Sequence, residues 1–138
     1  MRDFKQLKVW EKSHQLNLDV YKMAASFPRE ELFGLTSQIR RAAHSIPTNI
    51  CEGCGRNTLA EFAQFLNVSM GSASELEYHL LVANDLGLIS SAVYERLLTQ
   101  VLEVKRMLGA YLQKVYADIR KEKVTPRSSR SKVGVSDF

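Results

Sequence analysis

The residues LTSQIRRAAHSIPTNICEG, at positions 35–53, decide the fold of this chain. Apolar residues recur there at steps of three and four, the spacing that places side chains on one face of an α-helix. They are Leu32, just upstream, and Leu35, Ile39, Ala42, Ala43, Ile46 and Ile50. Pro47 has no amide hydrogen and its ring crowds the carbonyl of Ala43, so it predicts a bend. Because the apolar spacing continues to Ile50, we predict one kinked helix, which Gly53 and Gly55 end in the left-handed conformation.

Three other segments carry the same periodicity. The predicted bounds of the four helices are residues 7–26, 30–53, 59–85 and 91–120. The first ends before Pro28, because the residue preceding a proline is disfavoured in the helical region. The third follows Thr58, which forms a T-x-x-E capping box with Glu61. The fourth has apolar residues spaced regularly from Val93 to Ile119. No segment shows the alternation that is typical of a strand.

Four long helices joined by short connections are typical of an antiparallel, up-down-up-down bundle. We therefore predict an all-α four-helix bundle over residues 1–123, with the Pro47 kink in its second helix. The small residues from Gly71 to Ser74 predict close packing of the third helix against a neighbour. Residues 124–138 contain proline, serines and basic residues without a helical period, so they predict a flexible, disordered basic tail.

Length and charge limit the possible functions. A chain of 138 residues is expected to form one domain with a substantial core. Its net charge is +4, of which residues 121–138 account for +3, so the other 120 residues carry only +1. This balance argues against a fold built as a whole for nucleic acid. The charged N-terminal residues, and the lack of an apolar run of about 20 residues, predict a cytoplasmic protein without a membrane partner.

The run from Leu35 to Gly53 resembles the signature L-T-x-Q-I-R-R-A-x-x-S-I-P-x-N-I-A-E-G of a bacterial four-helix-bundle family. That family includes the proteins encoded in intervening sequences of 23S ribosomal RNA genes. Its downstream pattern G-S-x-x-E-L-E matches residues 71–77, and an upstream F-x-x-L-x-V-W matches residues 4–10. The matched positions that we expect to be structural are Pro47, Glu52, Gly53, Gly71 and Glu75. One departure is Cys51, where the family usually has a small residue.

This resemblance implies a homo-oligomer, because family members of this type assemble as homopentamers. It also implies RNA, DNA or a nucleoprotein as a partner, since relatives are encoded within ribosomal RNA gene insertions or accompany reverse transcriptases of retroelements. A separate indication of assembly is apolar surface beyond the needs of one core. The residues predicted to lie off the core stripes are Tyr78, Tyr94, Leu98, Tyr111 and Tyr116. The alternative function is a purely structural protein–protein interaction scaffold with no nucleic-acid binding.

Six basic residues are the candidate phosphate contacts. They are Lys5, Lys8, Lys12, Arg40, Arg41 and Arg56. Arg56 precedes the N-terminus of the third helix, where free amides favour anions, although Glu61 competes for that position. Arg40 and Arg41 are adjacent and point about 100° apart around their helix. The competing interpretation is that at least one of them forms an ion pair inside the bundle. The candidate partners for that pair are Glu52, Glu75 and Glu77.

Catalytic and metal-binding patterns are weak in this sequence. Cys51 and Cys54 have the C-x-x-C spacing, but a structural zinc site requires four ligands and the three histidines are scattered over three predicted helices. We therefore expect two unrelated thiols, no metal and no cofactor. The sequence contains no P-loop, H-E-x-x-H, G-x-S-x-G or dinucleotide fingerprint. We expect a non-enzymatic protein without a small-molecule substrate, in which Phe4 and Trp10 cover one end of the bundle.

Overall fold

The computed structural model describes residues 2–124, which form four α-helices and no strand. This arrangement confirms the predicted all-α bundle. The helices are α1 (Lys8–Ala24), α2 (Ser37–Cys54), α3 (Leu59–Asp85) and α4 (Ser91–Val124). None of them combines the length and the apolar character needed to cross a membrane. The predicted tail lies outside the described residues, except for Val124 at the end of α4.

Successive helices are neighbours in the bundle, and α1 closes it by packing against α4. Contacts between α3 and α4 show that these two helices are antiparallel. Asn67 Nδ2 donates a hydrogen bond to the Tyr116 hydroxyl at 2.7 Å. Further along α3, Lys105 Nζ donates to Glu77 Oε1 at 2.9 Å. As the residue number rises on α3, that of the partner on α4 therefore falls.

The predicted apolar stripes face the core. On α4, Leu97, Val101 and Leu108 are fully buried, as expected from their spacing. The prediction that Tyr111 lies off the core is wrong. Tyr111 is only 2% exposed, and its ring packs edge-on against Phe62 with 5.5 Å between the ring centroids. A tyrosine next to the stripe thus contributes its ring to the core of the bundle.

The predicted second helix does not begin at residue 30. A short 3-10 helix, Arg29–Glu31, is followed by a π-helical turn, Leu32–Thr36, and then by α2. The break occurs at Gly34, whose dihedral angles (φ −112°, ψ −111°) are not helical. As a result, Leu32 is 44% exposed and Phe33 is 94% exposed, so Leu32 does not belong to the predicted core stripe.

α2 continues through Pro47, in agreement with the prediction of a single element. Pro47 is buried and cannot donate to the carbonyl four residues earlier. Three neighbouring carbonyls instead receive side-chain hydrogen bonds. These bonds run from Thr48 Oγ1 to His44 O at 2.7 Å, from Asn49 Nδ2 to Ser45 O at 2.8 Å, and from Ser69 Oγ to Ile46 O at 2.8 Å. Two polar residues of the quoted stretch, Thr48 and Asn49, together with Ser69 of α3, thus stabilise the backbone around the proline.

The ends of α2 and α3 differ in geometry. Gly55 follows α2 with φ −86°, so the predicted left-handed end is wrong for this helix. α3 ends in a Schellman motif, in which the Leu88 amide donates to Ala83 O at 2.9 Å and the Gly87 amide to Asn84 O at 3.0 Å. Gly87 has φ 72°, a conformation that glycine adopts without steric cost.

The contact between α1 and α4 is the smallest of the four contacts between neighbouring helices. A polar groove with a volume of about 240 Å³ lies between these helices. Its lining residues are Lys12, Gln15, Asp19, Gln100, Glu103 and Val104. Across it, Lys12 Nζ lies 3.7 Å from Glu103 Oε1. α1 is therefore anchored mainly by its contact with α2.

Candidate nucleic-acid interface

The N-terminal segment and the α2–α3 connection meet at one end of the bundle. The Arg2 amide donates to Cys54 O at 3.0 Å, which fixes the segment beside the end of α2. The Arg2 guanidinium lies 4.5 Å from the centroid of the Phe62 ring, and that of Arg56 lies 4.7 Å from the centroid of Phe65. Two cations are thus held over aromatic rings in the first turns of α3. We call this region the basic end; its basic residues are Arg2, Lys5, Lys8 and Arg56.

Arg56 already has an acidic neighbour. Its Nη2 lies 2.8 Å from Glu52 Oε1, in a pair whose side chains are 39% and 54% exposed. Exposed pairs at this spacing contribute only about 0.3–0.5 kcal/mol, so the guanidinium can still contact a phosphate. The α3 amides are less available, because the Glu61 amide donates to Thr58 Oγ1 at 3.1 Å in the predicted capping box. Any phosphate contact of Arg56 therefore uses its guanidinium.

Lys5 lies in a 3-10 helix, Phe4–Gln6, that precedes α1, and Lys8 and Lys12 lie in the first turns of α1. All three lysines are exposed. Lys5 Nζ lies 5.9 Å from the centroid of the Phe4 ring. Among residues 2–124, no carboxylate pairs with Lys8. Lys12 contacts Glu103 only at 3.7 Å and is 57% exposed. Phe4 packs edge-on against Trp10 at 4.8 Å, so these rings cover the end of the bundle.

Arg40 and Arg41 lie elsewhere, in the first half of α2. Arg41 is separated from Cys54 by about 20 Å along the helix axis, at 1.5 Å per residue. The Arg40 guanidinium lies 5.3 Å from the centroid of the Tyr21 ring on α1, and its buried Nε has no hydrogen-bond partner in the described chain. Arg41 is exposed. The structure therefore places Lys5 and Lys8 with Arg56 at the basic end, whereas Lys12 lies in the groove between α1 and α4. The arginine pair lies further along α2, with Arg40 beside α1.

The predicted ion pair between Arg40 or Arg41 and a bundle glutamate is wrong. Each candidate glutamate has another partner. Glu52 pairs with Arg56 at 2.8 Å, Glu75 with His79 at 3.1 Å, and Glu77 with Lys105 at 2.9 Å. The physical reason is helix orientation, because the Arg40 side chain is directed toward α1 whereas Glu77 is directed toward α4.

Two groups of basic residues near this site were missed by reasoning from sequence. The first is Arg2, which we did not select. The second is the last turns of α4, which carry Arg120, Lys121 and Lys123 and run toward the start of α3 beyond the Asn67–Tyr116 contact. These charges stand out in the sequence, but the predicted fourth helix ends at residue 120 and the six candidate contacts include none of them.

The two cysteines are free thiols on successive turns of α2. Cys54 is 1% exposed, and this burial raises the pKa of its thiol from 9.0 to about 11. The thiol is therefore neutral at physiological pH and a poor nucleophile. Within residues 2–124, no group of three or more His, Cys, Asp or Glu side chains is placed to hold a metal ion.

The glycines of the matched patterns occupy different surroundings. A Cβ atom on Gly53 would lie 2.9 Å from Phe62 Cδ1, so α2 and α3 approach closely there. A Cβ on Gly71 would meet no atom within 4 Å. The close packing predicted for the run from Gly71 to Ser74 is observed at Ala73, which is buried, and at Ser72, which donates to Ser45 Oγ at 2.8 Å. It is wrong for Gly71, which faces outward.

Comparison with known proteins agrees with this architecture. The family model of the 23S rRNA-intervening sequence proteins matches residues 5–110, which include Pro47, Gly53 and Gly71. The chain belongs to this family. A crystal structure of a protein of unknown function from the S23 ribosomal protein family of Bacteroides thetaiotaomicron is similar, with a TM-score of 0.72 and 25% identity. That similarity covers 76% of this chain and 95% of the other. No curated protein matches the sequence.

Proposed function

We propose that this protein is a non-enzymatic, self-associating helical bundle that binds the phosphate backbone of RNA or DNA in the cytoplasm. The proposed contacts are Lys5, Lys8, Lys12, Arg40, Arg41 and Arg56, to which we add Arg2. The name of the family refers to ribosomal RNA genes, which supports a nucleic-acid partner. The arrangement of charge on the bundle supports it independently.

The observation that carries the proposal is the separation of charge between two sides of the bundle. Residues 2–24 and 37–56 form the N-terminal segment, α1, α2 and the connection to α3. They hold eight lysines and arginines against four acidic residues, a net charge of +4. α3 holds four acidic residues and no lysine or arginine, a net charge of −4. α4 holds seven lysines and arginines against four acidic residues, a net charge of +3. Of the four helices α3 alone is therefore acidic, and a described chain that is nearly neutral as a whole presents the cationic surface of the other helices to a polyanion.

Self-association is supported by exposed apolar side chains on α3 and α4. Tyr78, Leu102 and Tyr116 are 62%, 47% and 40% exposed. Large apolar side chains that cluster on the surface mark interaction sites. The family resemblance implies that five copies assemble.

The competing proposal is a scaffold that binds only protein. The observation that favours it is the exposure of Phe33, at 94%, beside Leu32 in the π-helical turn. An aromatic ring that projects from a surface is a typical anchor for a protein partner. In that case the charges of α1 and α2 would serve solubility alone.

A salt titration distinguishes the two proposals. Binding of fluorescent RNA and duplex DNA is measured by anisotropy between 50 and 200 mM salt, about the range over which phosphate contacts weaken strongly. We expect binding whose logarithm falls linearly with that of the salt concentration. Replacing Lys5, Lys8 and Lys12 by Gln lowers the slope on DNA by about 0.9 per lost contact. The control replaces Arg29 and Arg96 by Gln, both exposed and outside the N-terminal segment, α1 and α2.

The outcome of this titration decides between nucleic-acid binding and a scaffold that binds only protein. No binding at low salt, or binding that salt does not affect, eliminates the nucleic-acid proposal and leaves the scaffold. Deleting residues 125–138 tests the contribution of the C-terminal segment, which carries a further net charge of +2. If binding disappears with that segment, the bundle itself does not contact the phosphates.

A further inference from the structure

The outward side of α3 carries apolar side chains that no other part of residues 2–124 covers. Val68, Tyr78 and Leu81 are 50%, 62% and 40% exposed. Together with Gly71 and Glu75, which are also exposed, they recur at steps of three and four and share one face of the helix. We call these five residues the α3 outer face.

Gly71 leaves open space on this face of the helix, because it has no side chain. Glycine is less favourable than alanine in a helix interior, yet nothing in residues 2–124 uses the space left by the missing side chain, since a Cβ there would meet none of their atoms within 4 Å. A helix packed from outside would use it, because the distance between two helix axes depends on the size of the side chains at their contact. The position therefore suits a helical partner.

Charge restricts which helix that partner can be. The ionisable carboxylates of α3 are Glu61, Glu75, Glu77 and Asp85, with no lysine or arginine on the helix. Two α3 outer faces in a symmetric dimer would bring like charges together, which disfavours such a contact. α4 offers a complementary surface. Leu102 is 47% exposed, and Arg106 and Ala110 follow it at steps of four and are also exposed. We call these three residues the α4 outer face.

We infer that the α3 outer face of one copy packs, antiparallel, against the α4 outer face of a second copy. In one register Tyr78 meets the Leu102 side chain of the other copy. From Tyr78, Glu75 lies about 4.5 Å along the helix axis toward the N-terminus of α3. From Leu102, Arg106 lies about 6 Å toward the C-terminus of α4 in the second copy, which is the same direction because the two helices are antiparallel. The same register therefore joins an apolar contact to an ion pair. This inference rests on the proposed self-association and identifies the surfaces that it uses.

The contact is heterologous, because two different surfaces meet. Repetition of such a contact produces a closed ring or an open filament. α3 and α4 are neighbours in the bundle, so their outer faces point in directions that are not opposite. Each copy therefore turns relative to the previous one, which favours a ring. The cationic side formed by α1 and α2 remains uncovered and available to nucleic acid.

Charge reversal tests the contact. Sedimentation velocity is measured for the full chain and for Glu75→Arg, Arg106→Glu and the double variant. We expect a single oligomer mass for the full chain, and dissociation constants raised about tenfold or more for each single variant, because like charges then oppose each other. The double variant restores the pair with its sign reversed and regains the oligomer. Lys22→Glu on α1 is the control and leaves the mass unchanged.

A second variant separates the contact from protein folding. Gly71→Gln places a long side chain in open space on the protomer, so the helix remains folded, as circular dichroism would show, while the second copy is excluded. If the full chain is monomeric at every concentration, the proposed self-association itself is wrong. If it is oligomeric but neither Gly71→Gln nor the single reversals change its mass, self-association stands and the assignment of these faces is overturned.

Discussion

Gly53 and Gly71 both lie inside long helices, yet their surroundings are opposite. Gly53 is buried where α2 meets α3, and a Cβ on it would lie 2.9 Å from Phe62 Cδ1 and 3.0 Å from Phe65 Cβ. Gly71 lies on the outward side of α3, and a Cβ on it would meet nothing within 4 Å. The first glycine is required by contacts within the protomer. The second is not, so its explanation must be sought outside the protomer.

The largest loss of stability is expected when an aromatic ring is removed from the protomer core beside Gly53. Phe62 is fully buried and packs against Tyr111. Phe62→Ala should lower the free energy of unfolding by about 3–5 kcal/mol, through lost burial and the cavity left behind. Tyr78→Ala on the outer side is the matched control, with an effect on the protomer within about 0.5 kcal/mol. Urea denaturation followed by the fluorescence of Trp10 measures both, and similar losses for the two variants would contradict the comparison.

The second-largest effect is a fall in stability at high pH, which tests the burial of Cys54 in the protomer core. In the folded chain burial raises the pKa of this thiol to about 11, against 9.0 in the unfolded chain. Its contribution to stability is therefore fully present below pH 9. As the pH rises from 9 to 11 that contribution is lost, by about 2–3 kcal/mol. Denaturation curves across this range should show a smaller fall for Cys54→Ala than for Cys51→Ala. An equal fall in both variants would show that the Cys54 thiol is not responsible.

Gly53→Ala should destabilise the protein by a smaller amount. The added methyl group overlaps the Phe62 ring, which has no free space to move into, and overpacking of this kind costs about 1–3 kcal/mol. The midpoint of urea denaturation should fall while its slope remains unchanged. A midpoint equal to that of the unmodified protein would mean that α2 and α3 separate readily, contrary to the tight contact described above.

The smallest expected effect is a gain in stability rather than a loss. Gly71→Ala should stabilise the protomer by up to about 1 kcal/mol, because alanine has the higher helix propensity and its methyl group meets no neighbour. Thermal denaturation at low protein concentration measures it. A destabilised Gly71→Ala protomer would show that an internal contact, and not an external one, requires the glycine.

The bundle could be predicted from the sequence because its helices have regular apolar spacing. Leu97, Val101 and Leu108 were assigned to one face by that spacing alone, and all are fully buried. The break at Gly34 could not be predicted in this way, since the apolar pattern continues through Leu32 although that side chain is 44% exposed. Periodicity identifies a face, but it does not report where the backbone leaves the helix.

The candidate site was less predictable, because its geometry depends on how the helices are rotated about their axes. The sequence identified Arg56 and Glu52 as notable, but it offered Glu52 only as one of three candidate partners of Arg40 or Arg41, whereas the structure pairs Glu52 with Arg56. The ring contacts of Arg2 with Phe62 and of Arg56 with Phe65 bring together residues from different segments. No spacing rule connects such residues, so only the folded chain shows that the two guanidinium groups each lie over an aromatic ring.

The polar groove between α1 and α4 has a consequence for motion of the folded chain. Because the contact between α1 and α4 is much smaller than that between α2 and α3, separation of α1 from α4 exposes less surface than separation of α2 from α3. Backbone amides of α1 should therefore exchange with solvent through a partial opening, while those of α2 and α3 exchange only through global unfolding. The helix that opens first also carries Lys8 and Lys12, so a polyanion bound there would slow its exchange by mass action.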